Sequence, residues 1–146
     1  MTSEDMPVDE RIVKFIRKHH VMTIATVADG VPYCANLFYA YMADSNMFVF
    51  TSDAATRHYG EMLSGGTVAA SVVLETRTVG NVQGLQLQGR ATLAAGDMLE
   101  RARSAYLKRF PYAVIADLTL WTFEPVFMKL TDNRLGFGKK LIWNGR

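Results

Sequence analysis

The run Phe48-Val49-Phe50-Thr51-Ser52-Asp53-Ala54-Ala55-Thr56-Arg57-His58 changes character halfway along. Aromatic and β-branched residues up to Thr51 predict a strand. Asp53 is predicted to cap a helix, its carboxylate accepting from first-turn N–H groups, with Ala55, Tyr59, Met62 and Leu63 on one helical face. Thr51, Ser52 and Thr56 supply hydroxyls at that junction and Arg57 a planar cation. With the free amides of a helix start, the set suits a phosphate monoester. The plainer alternative is an ordinary strand-to-helix junction with a solvated Arg-His pair.

Upstream, Pro7 suits a first helical turn, and Val8, Ile12, Phe15, Ile16 and His19 recur at helical spacing, so a helix is expected over 7–19. Residues 21–28 and about 33–42 read as strands joined at Asp29-Gly30, a dipeptide suited to a tight hairpin. Ala43-Asp44-Ser45-Asn46 turns the chain into Met47–Thr51, the third strand of a meander.

Downstream, Gly65-Gly66 stops the second helix, and 67–75 reads as a strand buried on both faces, which suggests a barrel or a dimer seam. Polar and apolar residues alternate over 83–93, with a bend expected at Gly89. Asp97 and Glu100 suggest a capping box for a helix that Pro111 ends, and two extended segments follow, 121–131 and about 137–143. Pro125 marks an edge or bulge in the first of them. Many strands with helices between them fit a mainly β (α+β) fold, a small antiparallel barrel with helices at the N-terminus, after the third strand and before the last strands. No glycine-rich dinucleotide fingerprint or P-loop occurs.

The 146 residues, 49% of them apolar, suit a single domain over 1–146 with a substantial core. A formal charge of +2 does not by itself imply nucleic acid, although Lys129, Arg134, Lys139, Lys140 and Arg146 face only Asp132 in the tail. Cys34 is the single cysteine, which excludes an intrachain disulfide, argues against a zinc site and suits a reducing compartment. With no signal-like start and no apolar run near the roughly 20 residues of a membrane span, the expected location is cytoplasmic.

The helix, then Met22-Thr23-Ile24-Ala25-Thr26 with Asp29-Gly30-Val31-Pro32, Phe48-Val49-Phe50-Thr51-Ser52, Thr56-Arg57-His58 and Gln86-Leu87-Gln88-Gly89-Arg90-Ala91, resembles the FMN-binding split barrel of the pyridoxamine-phosphate-oxidase-like superfamily. The resemblance covers almost the whole chain. Phe110-Pro111 and the tail Thr131-Asp132-Asn133-Arg134-Leu135-Gly136-Phe137-Gly138-Lys139-Lys140 resemble the YhbP-like branch, and the tail is the more specific match. The resemblance implies a homodimer holding two FMN molecules at its interface. By the same resemblance Thr51 and Ser52 touch the phosphate, beside the Thr56 hydroxyl noted above, with Arg57 and His58 as the basic pair upon it. The backbone of Asn36, Leu37 and Phe38 lines the flavin ring, and Gln86 or Gln88 approaches it. Independently of the resemblance, Lys139 and Lys140 beside Gly136 and Gly138 suit either an anion reached across a dimer seam or a solvated basic tail.

This chain departs from the oxidase pattern in three places. Ala35 and Ala40 stand where the oxidases carry an Arg and a Lys, so efficient oxidation of pyridoxamine phosphate is not expected. His58 replaces a Lys and titrates near neutral pH, so phosphate affinity is expected to weaken as pH rises. Other branches of the superfamily use a deazaflavin or haem. Cys34 is expected to fill the core, His19 and His20 to complement the end of the first helix, and Trp121 and Trp143 to anchor a core or an interface.

The leading expectation is a flavin-dependent oxidoreductase on a small substrate, the flavin carrying the redox chemistry. The alternative is a non-catalytic binding module for flavin, haem or a nucleic-acid strand on the same barrel. His58 is the best available haem ligand, and no metal site is expected.

Overall fold

The computed structural model describes residues 7–145. A helix, α1 (Glu10–Lys18), leads into the strands β1 (Val21–Ala28), β2 (Val31–Met42) and β3 (Met47–Thr51). After α2 (Arg57–Leu63) come β4 (Val68–Val73), β5 (Gln83–Leu93), α3 (Gly96–Arg109), β6 (Leu120–Asp132) and β7 (Lys140–Asn144). Short 3₁₀ turns occupy Val79–Asn81, Pro111–Ile115 and Asn133–Leu135. All neighbouring strands pair antiparallel in the order β3-β2-β1-β4-β5-β6-β7. A further β3–β6 pairing, from Phe48↔Phe123 to Thr51↔Leu120, closes the sheet into a barrel. The 13 residues of β6 serve two partners beside β5, β3 along their first half and β7 along their second.

The alternating pattern of the strands sends one side chain in two into the barrel. Met22, Ile24, Tyr39, Phe48, Phe50, Leu85, Leu87, Trp121, Phe123, Met128 and Leu130 form the main core, which α1 plugs with Ile12, Phe15 and Ile16. Full burial of each such α1 side chain contributes about 1.5–3 kcal/mol. Asp9 caps this helix through Arg11 N–H at 2.9 Å, so α1 begins just after Pro7 rather than at it. At the other end the last turn carries Arg17 and Lys18, and the carbonyls there are met by Arg109 of α3. Arg109 donates to the carbonyls of Arg17, His19 and Tyr39 and stacks over the Tyr39 ring. Carbonyls of a helix end need donors, and a guanidinium offers several in one plane. A second core forms where α3 lays Ala102 and Tyr106 on Ala40, Met42, Val49 and Leu120.

Several expectations need correction. In β4 only Val68, Ala70 and Val72 are buried, while Ala69 and Val73 face outward, because none of the described residues covers that side of the sheet. Asp53 does not cap α2. Its carboxylate accepts from Ala55 N–H at 2.8 Å in a local turn, and the helix starts at Arg57, after Thr56. The capping box of α3 is also unmade, since the helix opens at Gly96 (φ 59°) after Ala95 with no side-chain cap. The last strand begins at Lys140 because a 3₁₀ turn at Asn133–Leu135 and a further turn through Gly138 precede it, the Asn133 side chain accepting from Gly138 N–H. Cys34 is exposed, on the outer face of β2, and fills no core. Trp121 and Trp143 are both buried within the chain.

The bend expected at Gly89 is present. The β5–β6 register slips between Gln88 and Gly89, so that Gly89 opposes Pro125 while Gln88 opposes Phe127. Proline has no N–H to give the ladder, which makes a bulge the place for Pro125. A Cβ on Gly89 would lie 2.2 Å from Glu124 O and 2.9 Å from the Phe123 ring, a contact that only backbone movement relieves. Gly89→Ala is therefore expected to cost about 3 kcal/mol, a fall of roughly 10 °C in Tm. Gly84→Ala, on the same strand with nothing within 4 Å of the added carbon, serves as the control and should change stability by about 0.5 kcal/mol or less. Thermal melts of the two variants check this, and equal losses would contradict it.

Candidate functional site

The end of β3 and the start of α2 meet at an opening in the barrel. The β2–β3 ladder stops at the Tyr39↔Phe50 pair, so the first half of β2 is hydrogen-bonded to β1 alone. Tyr39 donates its N–H to His20 O at 2.9 Å, and the antiparallel alternation then turns the N–H and C=O of Asn36 toward the open side. Beside this edge stand Thr51, Ser52, Thr56, Arg57 and His58. The two sets are joined by Arg57, whose guanidinium lies 4.3 Å over the Tyr33 ring of β2. Leu37 faces the core, and of the three ring-lining candidates Asn36 and Phe38 carry their side chains outward.

The charges of this corner are partly spent within it. Arg57 Nε donates to Glu61 Oε2 at 3.1 Å, and the Glu61 side chain is only 9% exposed. Ser52 Oγ and His58 Nε2 share a hydrogen bond of 2.9 Å, both residues buried. Thr56 Oγ1 donates to Asp53 O at 2.6 Å, so it caps no amide of α2, and the first-turn N–H groups of that helix receive no side-chain acceptor. Two buried oxygens, Thr26 Oγ1 on β1 and Glu61 Oε1 on α2, lack any partner among the described residues. Uncapped amides, hydroxyls, half a guanidinium and two orphaned oxygens on elements that pack together fit a ligand bearing both a phosphate and hydroxyl groups.

Burial pushes the His58 imidazole below its ordinary value, against a smaller opposite pull from Glu61, so the ring is neutral at pH 7. Its titration therefore falls in a more acidic window than an exposed histidine's. It meets an anion at neutral pH as a polar group and not as a cation.

The outer face of the sheet extends from this corner. The pairings place Asn36, Thr23, Ser71, Gln86 and Lys129 side by side on five successive strands, a polar row about 19 Å long. Thr23 Oγ1 donates to Asn36 Oδ1 at 2.7 Å. The neighbouring row runs Cys34, Ala25, Ala69, Gln88 and Phe127. Gln86 and Gln88 thus share a face with Asn36 but stand three strands away from it. Lys139 and Lys140 lie at the far edge, beyond β6, where Lys140 Nζ donates to Gly138 O, so a single chain does not bring them to the corner. Ala40 is buried under α3 and Ala35 packs toward the main core, so neither position presents a side chain to the open face.

Tyr33, Glu61, Thr23 and Lys129 belong to these surroundings without having been singled out in the sequence. The Arg57–Glu61 spacing of four residues was a legible signal for one of them. Strand register, which spacing along the chain does not carry, was needed for Thr23 and Lys129.

Residues 8–130 match the family model described as pyridoxamine 5'-phosphate oxidase. A UPF0306 protein of Yersinia pseudotuberculosis serotype O:3 (strain YPIII) is 35% identical over 133 residues, 91% of this chain and 90% of that protein. Among solved structures, a heme binding protein from Mycobacterium smegmatis superposes with a TM-score of 0.74 at 19% identity. That match covers 90% of this chain but 55% of the other, so this chain spans about half its length. The FAD binding protein from Mycobacterium smegmatis superposes with a TM-score of 0.64 at 9% identity, covering 86% and 95% of the two chains. At such identities the superpositions establish the fold.

The lowered proton affinity of His58 sets the sign of a pH effect. The unfolded chain binds the proton more readily, so this contribution to stability is complete above about pH 6.5 and is lost as pH falls through the lowered folded value. His19, also lowered chiefly by burial, adds an effect of the same sign. Tm should decline between pH 7 and 5, and His58→Gln should flatten that decline. Melts of both proteins across this range showing the same slope would exclude His58 as a contributor.

Proposed function

The chain belongs to the pyridoxamine 5'-phosphate oxidase family, alongside the UPF0306 proteins, and on that premise we propose that it is a flavoprotein holding FMN at the open edge of β2. The observation that carries the proposal is the meeting of an unpaired strand edge with the uncapped start of α2, amid Ser52, Thr56 and Arg57. Thr51, Ser52 and Thr56 would hold the phosphate with the first-turn amides of α2, and Arg57 would divide its guanidinium between the phosphate and Glu61. Asn36 and Phe38 would border the ring, and Gln86 or Gln88 would reach it from the outer face. Bound there, the flavin would supply electron or hydride transfer to a small substrate. No side chain at the corner is placed as an acid, base or nucleophile for that step. Two alanines packed into cores at 35 and 40 offer nothing to an anionic substrate, so the proposal does not extend to efficient pyridoxamine phosphate oxidation.

Haem fits this chain less well, although related folds include a haem binder. The Nε2 of His58 is already bonded to Ser52, and the ring is 8% exposed. Iron ligation would have to break that bond and open the corner.

We further propose that a second copy covers the outer face and brings Lys139 and Lys140 toward the corner. Val21, Val27, Phe38, Val73 and Ile142 are all exposed on that face, more apolar area than isolated surface residues explain. A cytoplasmic, reducing location would suit the exposed thiol of Cys34.

The FMN proposal is tested by the absorbance spectrum of freshly purified protein, mass spectrometry of what denaturation releases, and flavin titration of the stripped protein. Bound FMN is expected, and Arg57→Ala should weaken FMN by about tenfold while leaving riboflavin nearly unaffected, since only FMN carries the phosphate. Failure to bind either flavin would sink the proposal, and equal weakening of both would show that Arg57 supports the fold instead. Light scattering at micromolar concentration should give twice the chain mass of 16.3 kDa, and a monomer mass would refute the dimer.

A further inference from the structure

A separate cavity of about 320 Å³ opens between α1 and the turn that follows β6. We propose that it binds a small organic anion with an apolar body. Arg11, Lys14 and Lys18 recur along one stripe of α1 and border the cavity, and Arg134 borders it from the facing turn. Its floor is apolar, built from Phe15, Leu130 and Leu135. Such volume sits at the lower end of that of ligand pockets.

The charges there leave a positive surplus. Asp9 pairs with Arg11 at 2.9 Å and Asp132 with Arg134 at 3.0 Å, which spends two guanidiniums. Lys14 and Lys18 form no ion pair among the described residues, so four cations against two carboxylates leave two positive charges at the mouth. The Arg134 fork is held in place. Its Nε and Nη2 donate to the buried Asp132 carboxylate, and Nη2 donates also to Gln83 Oε1. A fixed guanidinium loses little freedom on meeting a ligand, whereas Lys14 and Lys18 supply mobile charge. An inorganic ion would use the rim and leave the Phe15, Leu130 and Leu135 floor wet. A ligand joining an anionic head to a ring or short chain uses both.

This cavity is independent of the flavin corner. Gln83 and Asp132 oppose one another on the face of β5 and β6 that also carries Leu85 and Leu130 into the barrel, while Gln86 and Lys129 point to the opposite face. The sheet itself separates the two sites. The cavity also uses Asp132, Arg134 and Leu135 of the tail motif, which the proposed flavin site leaves idle.

The test is an amide NMR titration of the full chain with phenyl phosphate at low salt, which reports both affinity and place. Saturating shifts are expected at Lys14, Lys18, Arg134 and Leu135, with a Kd on the order of 1 mM. Benzyl alcohol, which lacks the charge, and inorganic phosphate, which lacks the ring, should each bind about tenfold more weakly or worse. Lys14→Gln combined with Lys18→Gln should weaken phenyl phosphate by about tenfold while the rest of the spectrum stays in place, since both side chains are exposed. The inference is overturned if no shift appears at the cavity at about ten times the expected Kd, if the double variant binds as tightly, or if inorganic phosphate matches phenyl phosphate.

Discussion

The close approach of Gly89 to the Glu124 carbonyl sets where β5 and β6 change direction together. Before that point on β6, the strand runs beside β3, and after it beside β7. A straight β6 could serve only one of those partners. The bulge lets one strand close the barrel with its first half and carry the sheet past the barrel with its second, and the lack of a side chain at Gly89 is what permits it.

Closure by a strand as short as β3 has its own consequence. β3 pairs with only the last four residues of the twelve-residue β2, Tyr39 to Met42, and the rest of that edge is left unpaired. Unpaired backbone at a sheet edge invites a partner, whether another strand or a ligand with donors and acceptors. The chain leaves β3 at this place and turns into α2, so hydroxyls and a guanidinium collect beside the bare edge. Among the described residues no layer covers the outer face of β1, β4 and β5, whereas α3 covers the far end of β2 at Ala40 and Met42. The open edge and the open face adjoin, and it is on this adjacency that the proposed site shared with a second copy rests.

Among the described residues, three cations are held by carboxylates close in sequence, Arg11 by Asp9, Arg57 by Glu61 and Arg134 by Asp132, while Arg101 reaches Asp44 across the fold. Arg109 is consumed by carbonyls and ties α3 to the end of α1 across about ninety residues of sequence. The Lys14–Lys18 stripe of α1 is among the places where positive charge stays without an ion pair among the described residues. Formal charge alone, at +2, conceals this distribution.

The periodicity of Ile12, Phe15 and Ile16, the Asp29-Gly30 hairpin, the meander into β3 and the bulge at Gly89 were all determined locally, and they were legible because turn chemistry and side-chain alternation act over a few residues. The boundaries of β5 were read correctly for the same reason. Capping was misread at Asp53 and at Asp97, where local turn geometry and Gly96 displaced the helix starts by a few residues. The candidate phosphate group Ser52, Thr56, Arg57 and His58 was visible because it is contiguous. Tertiary structure alone decided that the backbone of Asn36 lies on an unpaired edge, that Thr23, Ser71, Gln86 and Lys129 share one row, that Cys34 points outward, and that β4 is buried on one side only. Each of those depends on strand register and on which face a second layer covers. Both come from pairings between residues tens of positions apart, which no periodicity within a single segment encodes.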